Sequence, residues 1–272
     1  MSDPRLPVGL FDSGIGGLTV FKAVHRRLPA EDLLYLGDNA RVPYGTKSHD
    51  TIITYACECA AKLVEEGVKY LVVACNTISA IALPCLREKF PDVPVMGVVE
   101  PGAQAACRAS KSGRIAVIAT PSTVRGGAYA DAIRRHRPDA EVTSVSCPLF
   151  VPLVEEGWFG GPLVEGIAAQ YLDPVFARPD KPDCLVLGCT HYPLLSETLR
   201  RVIGPEPVIV DSAETTAESL AQALQSAGLA NEPGRKGTAR FFTTDDARRF
   251  SRIGARFLGK DVCSDNVSHV EL

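Results

Sequence analysis

Two stretches decide the fold: KYLVVACNTISA (69–80) and DCLVLGCTHYPLL (183–195). Each opens on a continuous apolar run, the pattern of a strand buried on both faces of a parallel sheet. Each then passes through one small residue to a cysteine and a polar pair. Leu71-Val72-Val73-Ala74-Cys75-Asn76-Thr77 matches Leu185-Val186-Leu187-Gly188-Cys189-Thr190-His191, 114 residues later. A second echo links Val8-Gly9-Leu10-Phe11-Asp12-Ser13-Gly14 to Ile115-Ala116-Val117-Ile118-Ala119-Thr120-Pro121. Further apolar runs stand at PVGLF (7–11), LLYLG (33–37), VPVMGVV (93–99), RIAVIAT (114–120) and PVIVDS (207–212). Helical stretches lie between most of them. In LTVFKAVHRRL (18–28), Val20, Phe21, Val24 and Leu28 recur at helical spacing, and in HDTIITYACECAAKLVEEG (49–67) Ile52, Ala56, Ala60 and Leu63 do the same. Alternating strands and helices predict an α/β protein with parallel sheets. The two echoes predict two pseudo-symmetric α/β domains.

Composition narrows the function. The chain has 272 residues, 46% apolar and 22% charged, with net charge −3. A protein that grips phosphate backbones is expected to be basic, so no nucleic-acid partner is expected. The N-terminal residues lack the pattern of a signal peptide. No apolar run approaches the 18 or so residues of a membrane helix, so no membrane partner is expected and the expected location is cytoplasmic. The nine cysteines are odd in number and scattered, which is a poor disulfide framework and fits a reducing compartment.

In open α/β sheets, ligands bind beyond the carboxyl ends of the strands. Asp12-Ser13, Cys75-Asn76-Thr77 and Cys189-Thr190-His191 all fall there. The loop Asp12-Ser13-Gly14-Ile15-Gly16-Gly17 leads to a helix start, whose N–H groups favour an anion, although its spacing is not the dinucleotide fingerprint. A single cysteine at a strand end is more often structural. Zinc lacks its usual paired spacing here. A Cys189–His191 nucleophile pair of hydrolase type is open, but leaves Cys75 without a task. Two similar thiols suit inversion of a stereocentre, where one group removes a proton from one face and a second returns it to the other. A binding module for small anions is the non-catalytic alternative.

Further motifs complete a resemblance. GLFDSGIGGLTV (9–20), DNARVPYGTKS (38–48), VVACNTISA (72–80), PLFVPLVEEG (148–157) and LVLGCTHYPLL (185–195) resemble bacterial glutamate racemases in order and spacing along nearly the whole chain. The resemblance implies two α/β domains with the active site between them, residues 1–97 plus 210–272 forming the first and 98–209 the second. It implies interconversion of L- and D-glutamate without cofactor or metal, supply of D-glutamate for peptidoglycan, and a homodimer. Cys75 matches the thiol that acts on D-glutamate, with Asp12 assisting. Cys189 matches the thiol that acts on L-glutamate, beside His191 and a glutamate placed at Glu155, with Glu156 as the alternative. Asp12-Ser13, Tyr44-Gly45, Asn76-Thr77 and Thr190-His191 match substrate-binding pairs. An aspartate or broad-specificity racemase is the nearest rival. Some family members carry a longer N-terminal extension linked to activation by a cell-wall precursor, which is not expected here. Cys57, Cys59, Cys85, Cys107, Cys147, Cys184 and Cys263 are expected to be packing thiols, and His25, His49, His136 and His269 receive no role.

Overall fold

The computed structural model describes residues 3–259 and 266–272, so Cys263 lies outside the described residues. In chain order the elements are β1 (Val8–Asp12), α1 (Leu18–Arg27), β2 (Leu33–Gly37), α2 (His49–Glu65), β3 (Tyr70–Val73), α3 (Asn76–Ile81), α4 (Leu83–Lys89) and β4 (Val95–Gly97). There follow α5 (Val99–Ala109), β5 (Arg114–Ala119), α6 (Pro121–Gly126), α7 (Ala128–His136), β6 (Glu141–Ser146), α8 (Phe150–Glu155), α9 (Pro162–Phe176), β7 (Cys184–Gly188), α10 (Ser196–Ile203) and β8 (Val208–Asp211). The chain closes with α11 (Ser212–Ser226), β9 (Ala239–Thr243), α12 (Ala247–Leu258) and β10 (Val267–His269). These fall into two compact units, Met1–Val98 with Ala213–Leu272, and Val99–Ser212.

The first unit holds a sheet in the order β10-β9-β2-β1-β3-β4 and the second a sheet in the order β6-β5-β7-β8. Every ladder is parallel. Stripped of β9 and β10, the first sheet runs β2-β1-β3-β4, the same winding as β6-β5-β7-β8. The register repeats as well. Gly9 pairs with Leu71 and Phe11 with Val73, while Ala116 pairs with Leu185 and Ile118 with Leu187. These are the residues that echo one another in sequence, so the duplication extends to individual strand pairings. Within each unit, the two strands that echo stand side by side at the sheet centre.

Those central strands carry the apolar runs because both faces are covered. β1, β3 and β7 are buried along their whole length. In α2 the buried stripe is Ile52, Ala56, Cys57, Cys59, Ala60 and Leu63, close to the helical spacing expected. Ser48 caps it, its side chain accepting from the Thr51 amide. VPVMGVV yields only a short strand, Val95–Gly97, because the chain enters α5 at Val99. β6, β9 and β10 were not anticipated. β6 (EVTSVS) and β10 (VSH) lie at sheet edges and are largely solvated, so neither has the apolar run that marks a buried strand.

Candidate active site

In the first unit, β1 and β3 end side by side, and three polar segments follow from β1, β2 and β3. Asp12 closes β1 and is 1% exposed. Its Oδ2 accepts from the amides of Gly14 at 3.2 Å and Gly17 at 2.9 Å. Two amides of the glycine loop are thus taken by the chain's own carboxylate. Gly17 is required by the close approach, because a Cβ there would sit 2.5 Å from Asp12 Cβ and 2.8 Å from the Tyr35 hydroxyl oxygen. Cys75 is the extended N-cap residue of α3 and follows directly from the end of β3. Its thiol lies 3.5 Å from Ser13 Oγ, and the residue is 6% exposed. Burial, and then the negative charge of Asp12, push the Cys75 thiol up to about 12, against the lowering effect of hydrogen bonds from Ser13 and Ile78. Asn76 and Thr77 form the buried first turn of α3. Ser79 fixes that turn by donating to Val73 O at 2.9 Å and accepting from the Val98 amide at 3.2 Å.

Tyr44 and Gly45 follow β2 in the second of two short turns, Tyr44–Thr46. The Tyr44 side chain is buried and its phenol donates to Asp38, so this segment leaves Gly45 partly exposed and Thr46 exposed.

In the second unit, Cys189 follows β7 as Cys75 follows β3. Gly188 precedes it where a Cβ would meet Ile118 O at 2.8 Å, which admits only glycine beside β5. His191 Nδ1 lies 3.9 Å from Cys189 Sγ and 3.4 Å from Thr190 Oγ1. Its other nitrogen, Nε2, lies 3.2 Å from Glu155 Oε1. A carboxylate, an imidazole and a thiol therefore stand in line. Glu155 ends α8 and is half-buried, whereas Glu156 is exposed. Burial alone would lower His191, but the hydrogen bonds and negative charge of Cys189 and Glu155 outweigh it and raise it to about 10. The imidazole is therefore protonated at neutral pH. The line is held by Phe150 of α8, whose ring meets Tyr192 edge-on at 5.2 Å, and by the Tyr192 hydroxyl, which donates to Cys147 O at 2.9 Å.

The duplication pairs two residues to which the sequence reading gave no catalytic or binding role. Asp38 and Cys147 are equivalent, each donating its amide to the strand-end carbonyl beside it, Asp12 O at 3.1 Å and Ala119 O at 2.9 Å. Thr120 occupies the place of Ser13 and caps α6, with its hydroxyl 3.1 Å from that of Thr123. The signal was present in the echo of Val8–Gly14 with Ile115–Pro121, which aligns Ser13 with Thr120. The remaining described thiols pack. Cys57 meets Cys85 at 3.8 Å, Cys184 is enclosed in β7, and the described cysteines are all free. Among the described residues, no group of three or more His, Cys, Asp or Glu side chains could hold a metal ion.

A parallel α/β motif used twice, each copy presenting a buried thiol with a hydroxyl and a carboxylate in its neighbourhood, fits an acid–base catalyst of the amino-acid isomerase type. The chain belongs to the Asp/Glu/Hydantoin racemase family, which it matches over residues 10–220. It is 48% identical over 256 residues to a glutamate racemase of Geobacter metallireducens, covering 94% of each chain. The glutamate racemase of Francisella tularensis, solved with D-glutamate, superposes with a TM-score of 0.90 at 36% identity over 98% of each chain. That of Escherichia coli, solved with L-glutamate and the activator UDP-MurNAc-Ala, gives 0.76 at 31% identity over 93% of this chain and 95% of that one.

Proposed function

We infer that this chain is a glutamate racemase that interconverts L- and D-glutamate by two-thiol proton transfer and so supplies D-glutamate for peptidoglycan. The observation that carries the reading is the repeated strand–thiol motif with identical register, one copy in each unit. Two-base racemisation needs one proton-transfer group for each face of the stereocentre, and a fold built twice supplies them. Cys189 removes the Cα proton of L-glutamate as a thiolate, and Cys75, protonated, returns a proton to the opposite face to give D-glutamate. The reverse reaction exchanges their roles. The protonated His191 steadies a thiolate at Cys189 and is itself held by Glu155. Asp12 attends Cys75. Ser13, the Tyr44-Gly45 segment, Asn76, Thr77 and Thr190 supply amides and hydroxyls for the substrate's carboxylates and ammonium.

The bound enantiomers in the two relatives support glutamate as substrate. The same reading includes a homodimer, which light scattering tests, and a cytoplasmic location, which keeps the thiols reduced. No helix among the described residues is long and apolar enough to cross a membrane.

The decisive experiment is Cα proton exchange in deuterated water with each enantiomer. The wild type exchanges and racemises both. Cys75→Ala and Cys189→Ala each abolish racemisation. Full racemisation in either variant refutes the two-thiol mechanism, and amide hydrolysis that survives loss of Cys75 favours a Cys189–His191 hydrolase.

A further inference from the structure

A buried polar node stands directly behind the Cys75 half of the site. Asp38 has no exposed surface, yet its carboxylate accepts from donors on distinct segments. Thr244, just past β9, donates its hydroxyl to Oδ1 at 2.8 Å. Arg41 Nε donates to Oδ2 at 2.6 Å, and the Tyr44 phenol donates to the same oxygen. Arg41 is itself braced on α2, where it pairs with Glu58 and lies 4.0 Å over the Tyr55 ring. Thr244 Oγ1 also accepts from the Ala40 amide at 3.0 Å, and Asn39 Nδ2 donates to Thr243 Oγ1 at 2.8 Å.

All of these bonds tie down residues 39–46, which form two short turns, Asn39–Arg41 and Tyr44–Thr46. The second turn packs on α3 immediately after Cys75. The first lies against the glycine loop, where a Cβ on Gly14 would come 3.1 Å from Val42 and 3.4 Å from Asn39. Residues 39–46 therefore form a strap from the end of β1 to the start of α3. A buried carboxylate that loses one of its donors is left partly unsatisfied, so the strap has little freedom to settle elsewhere.

We propose that Asp38 is a positioning residue for the racemase reaction: it holds the strap so that the Tyr44-Gly45 main chain, and not the Tyr44 phenol, meets the substrate beside Cys75. The proposal deepens the racemase reading and rests on it. Its support is that the phenol is already committed to Asp38, inside the core cluster that also holds Cys75.

The test is a double-mutant cycle with Asp38→Asn and Tyr44→Phe, read as KM and kcat for both enantiomers together with thermal stability. Each single variant raises KM about tenfold, the scale on which a hydrogen bond to a buried charge acts, with kcat within about threefold of wild type. The double variant is no worse than Asp38→Asn alone, because both substitutions break one bond. If Asp38→Asn does not fold, Asp38→Glu, which displaces the carboxylate from the Tyr44 phenol, supplies the cycle with Tyr44→Phe, with the same non-additive rise in KM. Unchanged KM with lowered stability overturns the proposal, since the node is then only structural. Additive rises in KM overturn it, since the phenol then touches substrate itself. A fall in kcat at constant KM overturns it, since Asp38 then acts in proton transfer. A wild type that exchanges no Cα proton overturns the racemase reading, and this proposal with it.

Discussion

Replacing Glu155 with glutamine isolates the electrostatics of the Cys189 half of the site. The substitution keeps the shape and a polar atom near His191 Nε2 but removes the negative charge. At an effective dielectric of about 40, unit charges 3.2 Å apart interact by roughly 2–3 kcal/mol. The Glu155 side chain is 38% exposed, so solvent screening brings this to about 1–1.5 kcal/mol, or about one pKa unit. His191 titrates near 10 in the wild type, raised from 6.5. In Glu155→Gln it should titrate about one unit lower, because the imidazolium loses a favourable neighbour. A histidine whose pKa is raised on folding stabilises the native state fully below its unfolded value and loses that contribution as pH climbs through the folded value. The wild type should therefore lose this stabilisation between pH 6.5 and about 10, and the variant should lose its smaller share by about pH 9. Side-chain NMR titration of labelled histidines, with His191 assigned by substitution, gives the midpoint directly. Thermal unfolding against pH gives the stability window. The alkaline limb of Cα exchange from L-glutamate should move down by the same amount. An unmoved or raised midpoint would refute the assignment of Glu155, beside Cys189, as a group that raises His191.

Gly17→Ala forces a methyl against Asp12 and Tyr35, so stability should fall by about 1–3 kcal/mol through overpacking, and racemisation by about a hundredfold as Asp12 is displaced; thermal unfolding and optical rotation measure the two. Lys69→Met leaves Glu31, 2% exposed and normally 2.5 Å from Lys69 Nζ, without its cation. Urea unfolding should show a loss of about 3–5 kcal/mol, with activity per folded molecule unchanged.

The central strands were readable because burial on both faces leaves an uninterrupted apolar run, and the thiols were readable because each run stops at a cysteine. Leu71–Cys75 and Leu185–Cys189 needed only comparison with each other. The edge strands β6 and β10 were not, because solvated strands such as Glu141–Ser146 alternate too weakly to stand out from loop. The line from Glu155 through His191 to Cys189 joins residues 36 and 2 positions apart, and only the packing of α8 on Tyr192 brings it together. Tyr44 shows the opposite case. Its place in the motif marked the segment, but the direction of its side chain depends on Asp38 and Thr244, the latter some 200 positions further along the chain. Asp38 itself sits in a quoted motif, and nothing in an aspartate's identity reveals that it will be buried and shared.

The pairing of β2 with β9, Leu33 against Ala239 through Gly37 against Thr243, reaches across the whole second unit. That has a consequence for synthesis on the ribosome. The second unit is a continuous piece of chain and can complete its sheet as soon as β8 emerges. The first must wait with one edge of β2 open, presenting the apolar strand LLYLG (33–37) as a template for strangers until β9 arrives. A chain stopped before residue 239 would therefore carry a finished second unit and an adhesive first one, so premature termination should yield aggregate and not a smaller enzyme.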